Sequence, residues 1–331
     1  MTYLVVRLLH DRGVYQPHTD VLGDVEVRSP RGDLLDETRA IALSRSAHGI
    51  PSPEADTAMR AATIVTSGSP VEADAVALER FELTADLRSL RAAGLSRHDV
   101  TAVGFRRDLS SGQIAPALPR KEWAPGPAFA LVRKVWEGPD VAQWLASQPP
   151  SDLRTRLLRG LRWKRLADLE PNRQLKVLFR WFVVEATLRL KPEEDLVPWV
   201  LTFLGFPSGG VAAALDTTLR DELHAIPNYR SWREQVRNEL AQVRDYRNDT
   251  VHSGFRPHDV SEQDLRRWVR LMSMVAPRVL HGVEEALLMG MVDPATMRSD
   301  AHRLLNAHGN LVNDLRGNLL HILGQNVDLE L

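Results

Sequence analysis

The chain has 331 residues, with 42 lysines and arginines against 43 aspartates and glutamates, and it contains no cysteine. This length predicts about two domains, each long enough to bury a core. The net charge of −1 supplies no global field that would attract nucleic acid, so such binding would need a local patch. The missing cysteines exclude disulfides, thiolate metal sites and cysteine nucleophiles.

No apolar run approaches the length of about 18 residues that a membrane-spanning helix requires. The segment that follows Met1 has the pattern of a strand rather than of a leader, so we expect no signal peptide. These features predict a soluble, cytoplasmic protein without a membrane partner.

The first part of the chain has the pattern of an α+β domain. Three strands are predicted, at Thr2–Leu9, Asp24–Arg28 and Ala61–Thr66. Residues 40–60 give no firm assignment. A hairpin is predicted from Val100–Arg106 and Gln113–Leu118, which flank a Ser-Ser-Gly turn. We therefore expect an α+β accessory or sensor domain over residues 1–140.

The clearest helix start in this domain is at Ser69. This serine is a suitable N-cap, Pro70 takes the first helical position, and Glu72 completes a Ser-x-x-Glu capping box. Apolar residues then recur at helical spacing until Gly94, which ends the pattern. The predicted apolar stripe consists of Ala73, Val76, Ala77, Phe81, Leu83, Leu87 and Leu90.

Seven of the 20 prolines lie between Pro116 and Pro150. A helix cannot cross such a stretch intact, so a domain boundary is predicted there. Beyond it the pattern is almost continuously helical, and we expect an all-α domain over residues 145–331.

The first helix of this second domain is predicted to begin at Ser151, which can act as its N-cap. Its apolar stripe is Leu153, Leu157 and Leu161. On the opposite side of the helix lie Arg156, Arg159 and Trp163, which predict either an RNA-contacting patch or an ordinary solvated face.

Further helices follow along the chain. One has a predicted apolar stripe of Leu175, Phe179, Phe182, Ala186 and Leu190, with Glu185 beside it. Another begins at Ser208, a third covers Tyr229–Arg247, a long apolar one covers Leu265–Met291, and two shorter helices finish the chain. The apolar residues Trp268, Leu271, Met272 and Val275 predict either a dimer interface or a core within the chain.

The segment Asp245–Gly254 contains an arginine and a histidine five positions apart. Chance predicts about one Arg-x4-His match in a chain of this composition, and the sequence contains three. Only Arg247 and His252 have Asn248 directly after the arginine and a Ser-Gly stop after the histidine. The pairs Arg303/His308 and Arg316/His321 lie in apolar-periodic segments and indicate ordinary helix surface.

Arginine and histidine together suit the cleavage of RNA, which carries its own nucleophile in the 2′-hydroxyl group. Histidine can take or give a proton near neutral pH, and the arginine fork fits phosphate oxygens. On a straight helix Arg247 and His252 lie about 140° apart around the axis. We therefore expect the helix to bend or end between them, with Ser253 and Gly254 as the stop.

The run Arg247-Asn248-x3-His252 resembles the Arg-polar-x3-His signature of the HEPN superfamily of helical ribonucleases. The segment Lys176–Leu188 is similar to the acidic and aromatic helix of its Apea-like branch. The N-terminal strand followed by Ser69–Ala73 is similar to the accessory α+β region that such proteins carry. The resemblance covers residues 150–290 well and the first 140 loosely.

This resemblance implies a HEPN-like nuclease domain that pairs with a second copy to form one composite cleft. It implies RNA cleavage without a metal or cofactor, leaving a 2′,3′-cyclic phosphate, in an anti-phage, abortive-infection or toxin effector. Arg247 and His252 would be catalytic, Asn248 would orient them, and Glu185 would be a supporting acid. An antitoxin or a phage-derived trigger would be a further partner.

Simpler interpretations remain open for these residues. Arg247 and His252 could simply be cationic side chains that a helix C-terminus favours through its dipole, and Glu185 could be a surface carboxylate paired with any nearby arginine. The whole domain could be a non-catalytic HEPN-type adaptor in a defence or toxin–antitoxin complex.

Overall fold

A computed structural model describes residues 1–11, 19–47, 58–91, 98–118, 141–253, 260–308, 311–313 and 315. The chain forms two compact units, Met1–Pro149 and Pro150–Leu331. Their division lies a few residues after the predicted boundary at 140–145. The reason is a short helix, Val141–Ser147, that packs within the first unit rather than with the helices that follow.

The first unit contains an antiparallel sheet whose strands follow the order β2-β3-β4-β1-β5-β6. The described strands are β1 (Thr2–Asp11), β2 (Asp20–Leu22), β3 (Val25–Arg28), β4 (Met59–Thr66), β5 (His98–Asp108) and β6 (Ile114–Pro116). The predicted strands and the predicted β5–β6 hairpin are thereby confirmed, and Gly112 takes the positive φ of 72° that its turn requires.

Among the described residues of this unit, three α-helices accompany the sheet: α1 (Leu35–Ala47), α2 (Pro70–Arg91) and α3 (Val141–Ser147). Along β1 the side chains alternate between two cores. Val5 and Leu9 pack in the core that includes α2, whereas Val6 and Leu8 pack in the core that includes Ile41 of α1. The central strand is therefore buried on both faces, which explains its nearly continuous apolar sequence.

Helix α1 begins before the stretch that gave no firm assignment, residues 40–60, and extends into it. Its hydrophobic signal is weak because Leu35 and Leu43 are exposed and only Ile41 is a buried aliphatic residue. The helix is instead held by charge: buried Glu37 accepts a hydrogen bond from Arg28 of β3 at 2.8 Å. An ion pair between distant residues leaves no periodic pattern in the sequence.

Helix α2 begins at the predicted cap, but its details differ from the prediction. The Ser69 hydroxyl accepts the backbone N–H of Glu72 at 3.2 Å, as in a capping box. The Glu72 carboxylate, however, accepts the N–H of Gly68 at 3.1 Å rather than that of Ser69. The buried face is centred on Ala73, Ala77, Phe81 and Ala85, and Leu83 is 38% exposed. The predicted stripe was therefore partly wrong.

In the second unit every regular element of the described residues is a helix. These helices are α4 (Asp152–Leu169), α5 (Arg173–Leu188), α6 (Val197–Phe203), α7 (Gly209–Ala213), α8 (Thr217–His224), α9 (Tyr229–Ser253), α10 (Glu262–Leu288), α11 (Pro294–Ser299) and α12 (Ala301–Ala307). None of the helices in the described ranges is long and apolar enough to cross a membrane. The coarse prediction, an α+β part followed by helices, is confirmed.

Helix α4 confirms its predicted cap and apolar stripe. Ser151 accepts the backbone N–H of Arg154 at 3.1 Å, and Leu153, Leu157 and Leu161 are fully buried. The predicted stripe of α5 was wrong, because the helix buries another face. That face comprises Val177, Leu178, Trp181, Val183, Val184, Thr187 and Leu188. Phe179 and Phe182 are only half-buried.

Helices α9 and α10 correct two further expectations. Helix α9 continues from Tyr229 to Ser253, so it does not end between Arg247 and His252. On α10 the proposed interface residues are 6% exposed at most and contribute to the core of the same chain. They are Trp268, Leu271, Met272 and Val275. The interface interpretation was wrong for this surface.

The helices α4, α5 and α10 meet closely at Gly160. A β-carbon at this position would lie 2.7 Å from Cγ2 of Thr187 on α5 and 2.8 Å from Cδ2 of Leu280 on α10. Both neighbours are buried, and the Thr187 hydroxyl donates a hydrogen bond to the Val183 carbonyl at 2.7 Å. The fixed threonine rotamer leaves little room to adjust.

We expect Gly160→Ala to lower the unfolding midpoint of the full chain, although alanine favours a helix by about 1 kcal/mol over glycine. Overpacking costs roughly 1–3 kcal/mol, so the net loss should be about 1 kcal/mol. The matched control is Gly210→Ala in α7, where no atom lies within 4 Å of a new β-carbon. This control should be neutral or stabilising. If both substitutions raised the unfolding midpoint by similar amounts, the packing around Gly160 would have enough space for a β-carbon.

Candidate functional site

The Glu185 carboxylate on α5 joins three donors from two helices. Its Oε2 accepts Nη2 of Arg247 on α9 at 2.8 Å, and its Oε1 accepts Nη2 of Arg189 at 2.7 Å. The indole N–H of Trp181 donates to the same Oε1 at 3.1 Å. The side chains of Glu185, Arg247 and Arg189 are 13%, 20% and 28% exposed, so the group lies at the edge of the protein interior. Both carboxylate oxygens are thus fully engaged.

The local sequence of α5 explains the positions of two of the three donors, Trp181 and Arg189. Trp181, Glu185 and Arg189 are spaced four residues apart and therefore lie on one side of the helix. Arg189 is also the C-cap residue, where a cation is favoured by the helix dipole. The spacing of Glu185 and Arg189 was a readable signal for Arg189, which the sequence prediction did not include. The third donor, Arg247, comes from 62 positions further along the chain.

The charges in this group do not balance within it. Two guanidinium groups share one carboxylate, which leaves a net charge of +1 at a half-buried position. The Nε atoms of Arg189 and Arg247 are buried and have no hydrogen-bond partner in the described part of the chain. Such a site favours an anion, because charge interactions are screened less at the protein interior than in bulk water.

Asn248 follows Arg247 on α9 and helps to fix it. The Asn248 side-chain oxygen accepts Nη1 of Arg247 at 3.2 Å. The guanidinium therefore donates from both terminal nitrogens, to a carboxylate oxygen of Glu185 and to the amide oxygen of Asn248. Tyr246 anchors the same end of α9, since its ring lies 5.4 Å from that of Trp268 on α10.

The aromatic ring of Phe182 also contacts Arg247. The Cζ of Arg247 lies 5.9 Å from the centre of the Phe182 ring, a distance typical of a cation–π contact. The Phe182 ring in turn lies 4.9 Å from that of Trp163 on α4. Phe182 was predicted only as a member of an apolar stripe, so its place beside Arg247 was missed.

The three residues predicted to contact RNA have different surroundings. Trp163 lies in the aromatic group just described. Arg156 donates from Nη1 to the Arg189 carbonyl at 2.7 Å and from Nε to both Asp152 carboxylate oxygens at 3.0 Å. Arg156 is therefore connected through Arg189 to the cluster of Glu185, Arg189, Arg247 and Trp181, which we call the Glu185 group. Arg159 is exposed, and it makes no hydrogen bond or ion pair with any residue that the structure describes.

His252 lies in the last turn of α9, and its side chain is outside the described part of the structure. Because the backbone is helical throughout, positions 247 and 252 are about 140° apart around the axis. The backbone of one chain therefore does not bring them to the same face. The pair Arg303/His308 begins in α12, where Arg303 pairs with Asp300 at 2.8 Å, and Arg316/His321 lies outside the described residues.

Within the described ranges, no group of three His, Cys, Asp or Glu side chains is arranged to hold a metal ion. Comparisons with protein-family models, curated proteins and solved structures found no match to this chain. The chemical interpretation therefore depends on the arrangement of the side chains themselves.

Removing the shared charge should destabilise the second unit. We expect Glu185→Gln to lower the unfolding free energy by about 1–2 kcal/mol, because two half-buried guanidiniums lose their counter-charge; a fully buried pair would cost more. The matched control is Glu234→Gln on α9, whose carboxylate also pairs with two arginines, at 3.3 Å each, but is 50% exposed. Its loss should change stability very little. Equal effects would mean that the Glu185 pairs behave like surface ion pairs.

Proposed function

We propose that the second unit is a HEPN-like domain and that the chain is a metal-independent endoribonuclease. The observation that carries this proposal is the contact of Glu185 and Asn248 with Arg247. These are residues that the family resemblance implied, and they meet at one guanidinium although Glu185 lies on a different helix. The Arg-x4-His spacing alone would be weak support, since chance supplies such matches.

The fixed guanidinium of Arg247 suits the stabilisation of a phosphorane. A donor that is already oriented need not reorganise when charge develops on the phosphate oxygens. Glu185 and Asn248 supply this orientation, and the net charge of +1 leaves capacity for an anion. The role assigned to Glu185 is therefore positioning, with Arg247 as the group that contacts the phosphate.

The proposed role of His252 is proton transfer. The 2′-oxygen of RNA attacks the adjacent phosphorus and loses its proton to a base, while the bond to the leaving 5′-oxygen breaks and that oxygen gains a proton. The products are a 2′,3′-cyclic phosphate and a free 5′-hydroxyl. A histidine suits either proton transfer because its ordinary pKa is about 6.5.

A second copy of the chain would complete this site. The unbroken helix keeps positions 247 and 252 on different faces of one chain, so a two-fold axis near the end of α9 could bring one chain's histidine towards the other's arginine. Val251, next to His252, is 52% exposed and would be an apolar contact at this end of the helix. This location replaces the α10 surface, whose apolar residues are buried in their own chain.

The family resemblance further suggests a role in anti-phage defence or as a toxin, in the cytoplasm. In this proposal the sheet-containing unit Met1–Pro149 senses a phage-derived trigger or holds the nuclease in check, and an antitoxin is a possible partner. This part rests on the resemblance alone, and the activity of the Arg247 site is independent of it.

A non-catalytic adaptor is the second candidate. One observation favours it: the protein itself already occupies both terminal nitrogens of Arg247. An adaptor would use the Glu185 group only to join α5 to α9. The two candidates differ in whether purified protein cleaves RNA.

The deciding measurement is cleavage of RNA by the purified full chain in excess EDTA. We expect cleavage to survive the chelator, with products ending in a 2′,3′-cyclic phosphate, and to be lost in His252→Ala. Arg247→Lys should lose about 100-fold or more, because lysine keeps the charge but not the planar fork.

The control is Arg303→Lys, a substitution in another Arg-x4-His match, which should cleave like the wild type. Chelator-sensitive cleavage that Mg²⁺ restores would reject the two-residue mechanism. No cleavage by a folded wild type, together with intact RNA in cells that express it, would favour the adaptor.

The composite site predicts a dominant effect of an inactive copy. When wild type is co-expressed with an excess of His252→Ala, heterodimers should form and the activity per wild-type chain should fall. Light scattering of the purified protein gives the oligomeric state in parallel. A monomer at micromolar concentration that cleaves RNA would contradict the two-fold site.

A further inference from the structure

Three aromatic rings meet between α4 and α5. The Trp163 ring lies 5.5 Å from Phe179 and 4.9 Å from Phe182, and the two phenylalanine rings are 6.3 Å apart. We call Trp163, Phe179 and Phe182 the aromatic cluster. Each of its members is half-buried.

The aromatic cluster is separate from the fully buried core of these two helices. Helix α4 buries its leucine stripe and α5 buries the face around Trp181 and Val184, whereas the cluster lies at the edge of these faces. Aromatic side chains carry large apolar surfaces, which folding ordinarily removes from water. Three of them partly exposed in one place form a surface suited to a flat, apolar ligand.

A positive group adjoins this surface. Arg247 lies 5.9 Å from the Phe182 ring centre and belongs to the Glu185 group with its net charge of +1. A cation next to half-buried aromatic residues matches the two parts of a nucleotide, whose phosphate and base are separated by one sugar. Neither an apolar peptide nor an isolated phosphate would use both parts.

We propose that the aromatic cluster binds one unpaired nucleobase of an RNA strand whose phosphate lies at Arg247. This inference rests on the proposed function, because it takes RNA to be the ligand of Arg247. Stacking on aromatic rings tolerates every base, since each base has a π-face. The cluster therefore selects unpaired nucleotides over duplex RNA, whose bases are already stacked, without selecting a sequence.

The contacts also assign unequal roles to the cluster members. Phe182 is the member next to Arg247, and Trp163 and Phe179 pack against it. Phe182 should therefore contribute most to the contact with the base. Arg159, which was predicted from the sequence to join Trp163 in binding RNA, makes no described contact with this group and is not part of the base site.

The test measures binding to the full chain carrying His252→Ala, so that RNA stays intact. Three fluorescein-labelled probes are compared by anisotropy: a short single-stranded oligoribonucleotide, the corresponding duplex, and a single strand with abasic sites throughout. Adding Phe182→Leu should weaken single-strand binding about tenfold, since a stacked base contributes on the order of 1–3 kcal/mol. Binding of the duplex and the abasic strand should not change.

Two further variants guard against a misfolded protein. Phe182→Tyr keeps the ring and should bind like the parent. Trp232→Leu removes a half-buried aromatic residue from the same helix as Arg247, about 22 Å along its axis, and should have no effect. Weakened single-strand binding by Phe182→Leu together with normal binding by Phe182→Tyr would assign the effect to the aromatic ring.

The alternative occupant of the cluster is a second copy of the chain. If Phe182→Leu dissociates a dimer and weakens all three probes equally, the base site is rejected and the cluster is an interface. Unchanged single-strand affinity in Phe182→Leu also rejects it. If the wild type cleaves RNA but binding does not depend on the bases, the base site is rejected and the nuclease proposal stands. If the wild type does not cleave RNA but binding depends on the bases, only the nuclease proposal is rejected.

Discussion

The carboxylate of Glu185 is the constraint on which the candidate site depends. It accepts hydrogen bonds from Arg189 and Trp181 of its own helix and from Arg247 of α9, so one side chain links the two helices. Without it, two guanidiniums would face each other at a half-buried position, where like charges repel strongly. The same ion pairs leave one positive charge uncompensated, and this charge makes the position suitable for a phosphate. In the proposed function, this one group would both join the two helices and attract the phosphate.

Close packing of the neighbouring helices gives this group its fixed geometry. Gly160 lets α4 approach both α5 and α10, with Thr187 and Leu280 filling the space that a β-carbon would need. Because α4 carries Trp163, the same approach places the Trp163 ring against Phe182, and Phe182 in turn contacts Arg247. A glycine in the middle of a helix is unfavourable by itself, so its value here lies in the contact that it permits.

The chemistry proposed for the site follows from what each residue can and cannot do alone. Arg247 is held rigidly but has no proton to exchange near neutral pH, whereas a histidine can exchange one but cannot stabilise a phosphorane as a planar fork does. The helical backbone from Tyr229 to Ser253 keeps their positions on different faces of one chain. In the proposed composite site a second copy of the chain supplies the histidine, whereas the proposed adaptor requires no second copy. In this proposal, catalysis therefore depends on dimer formation.

The sequence by itself determined the elements whose signals are local. Capping by Ser151, the leucine stripe of α4 and the β5–β6 hairpin all arise from neighbouring residues. The sequence also indicated Arg247 and Asn248 as candidates through the context of their Arg-x4-His motif, and Glu185 through a family resemblance. Only the tertiary structure decided which face of α5 is buried, that α9 continues past Arg247, and that Arg189 and Phe182 join the site. These outcomes depend on contacts between helices distant in the chain, and periodicity along a single helix carries no information about its neighbours.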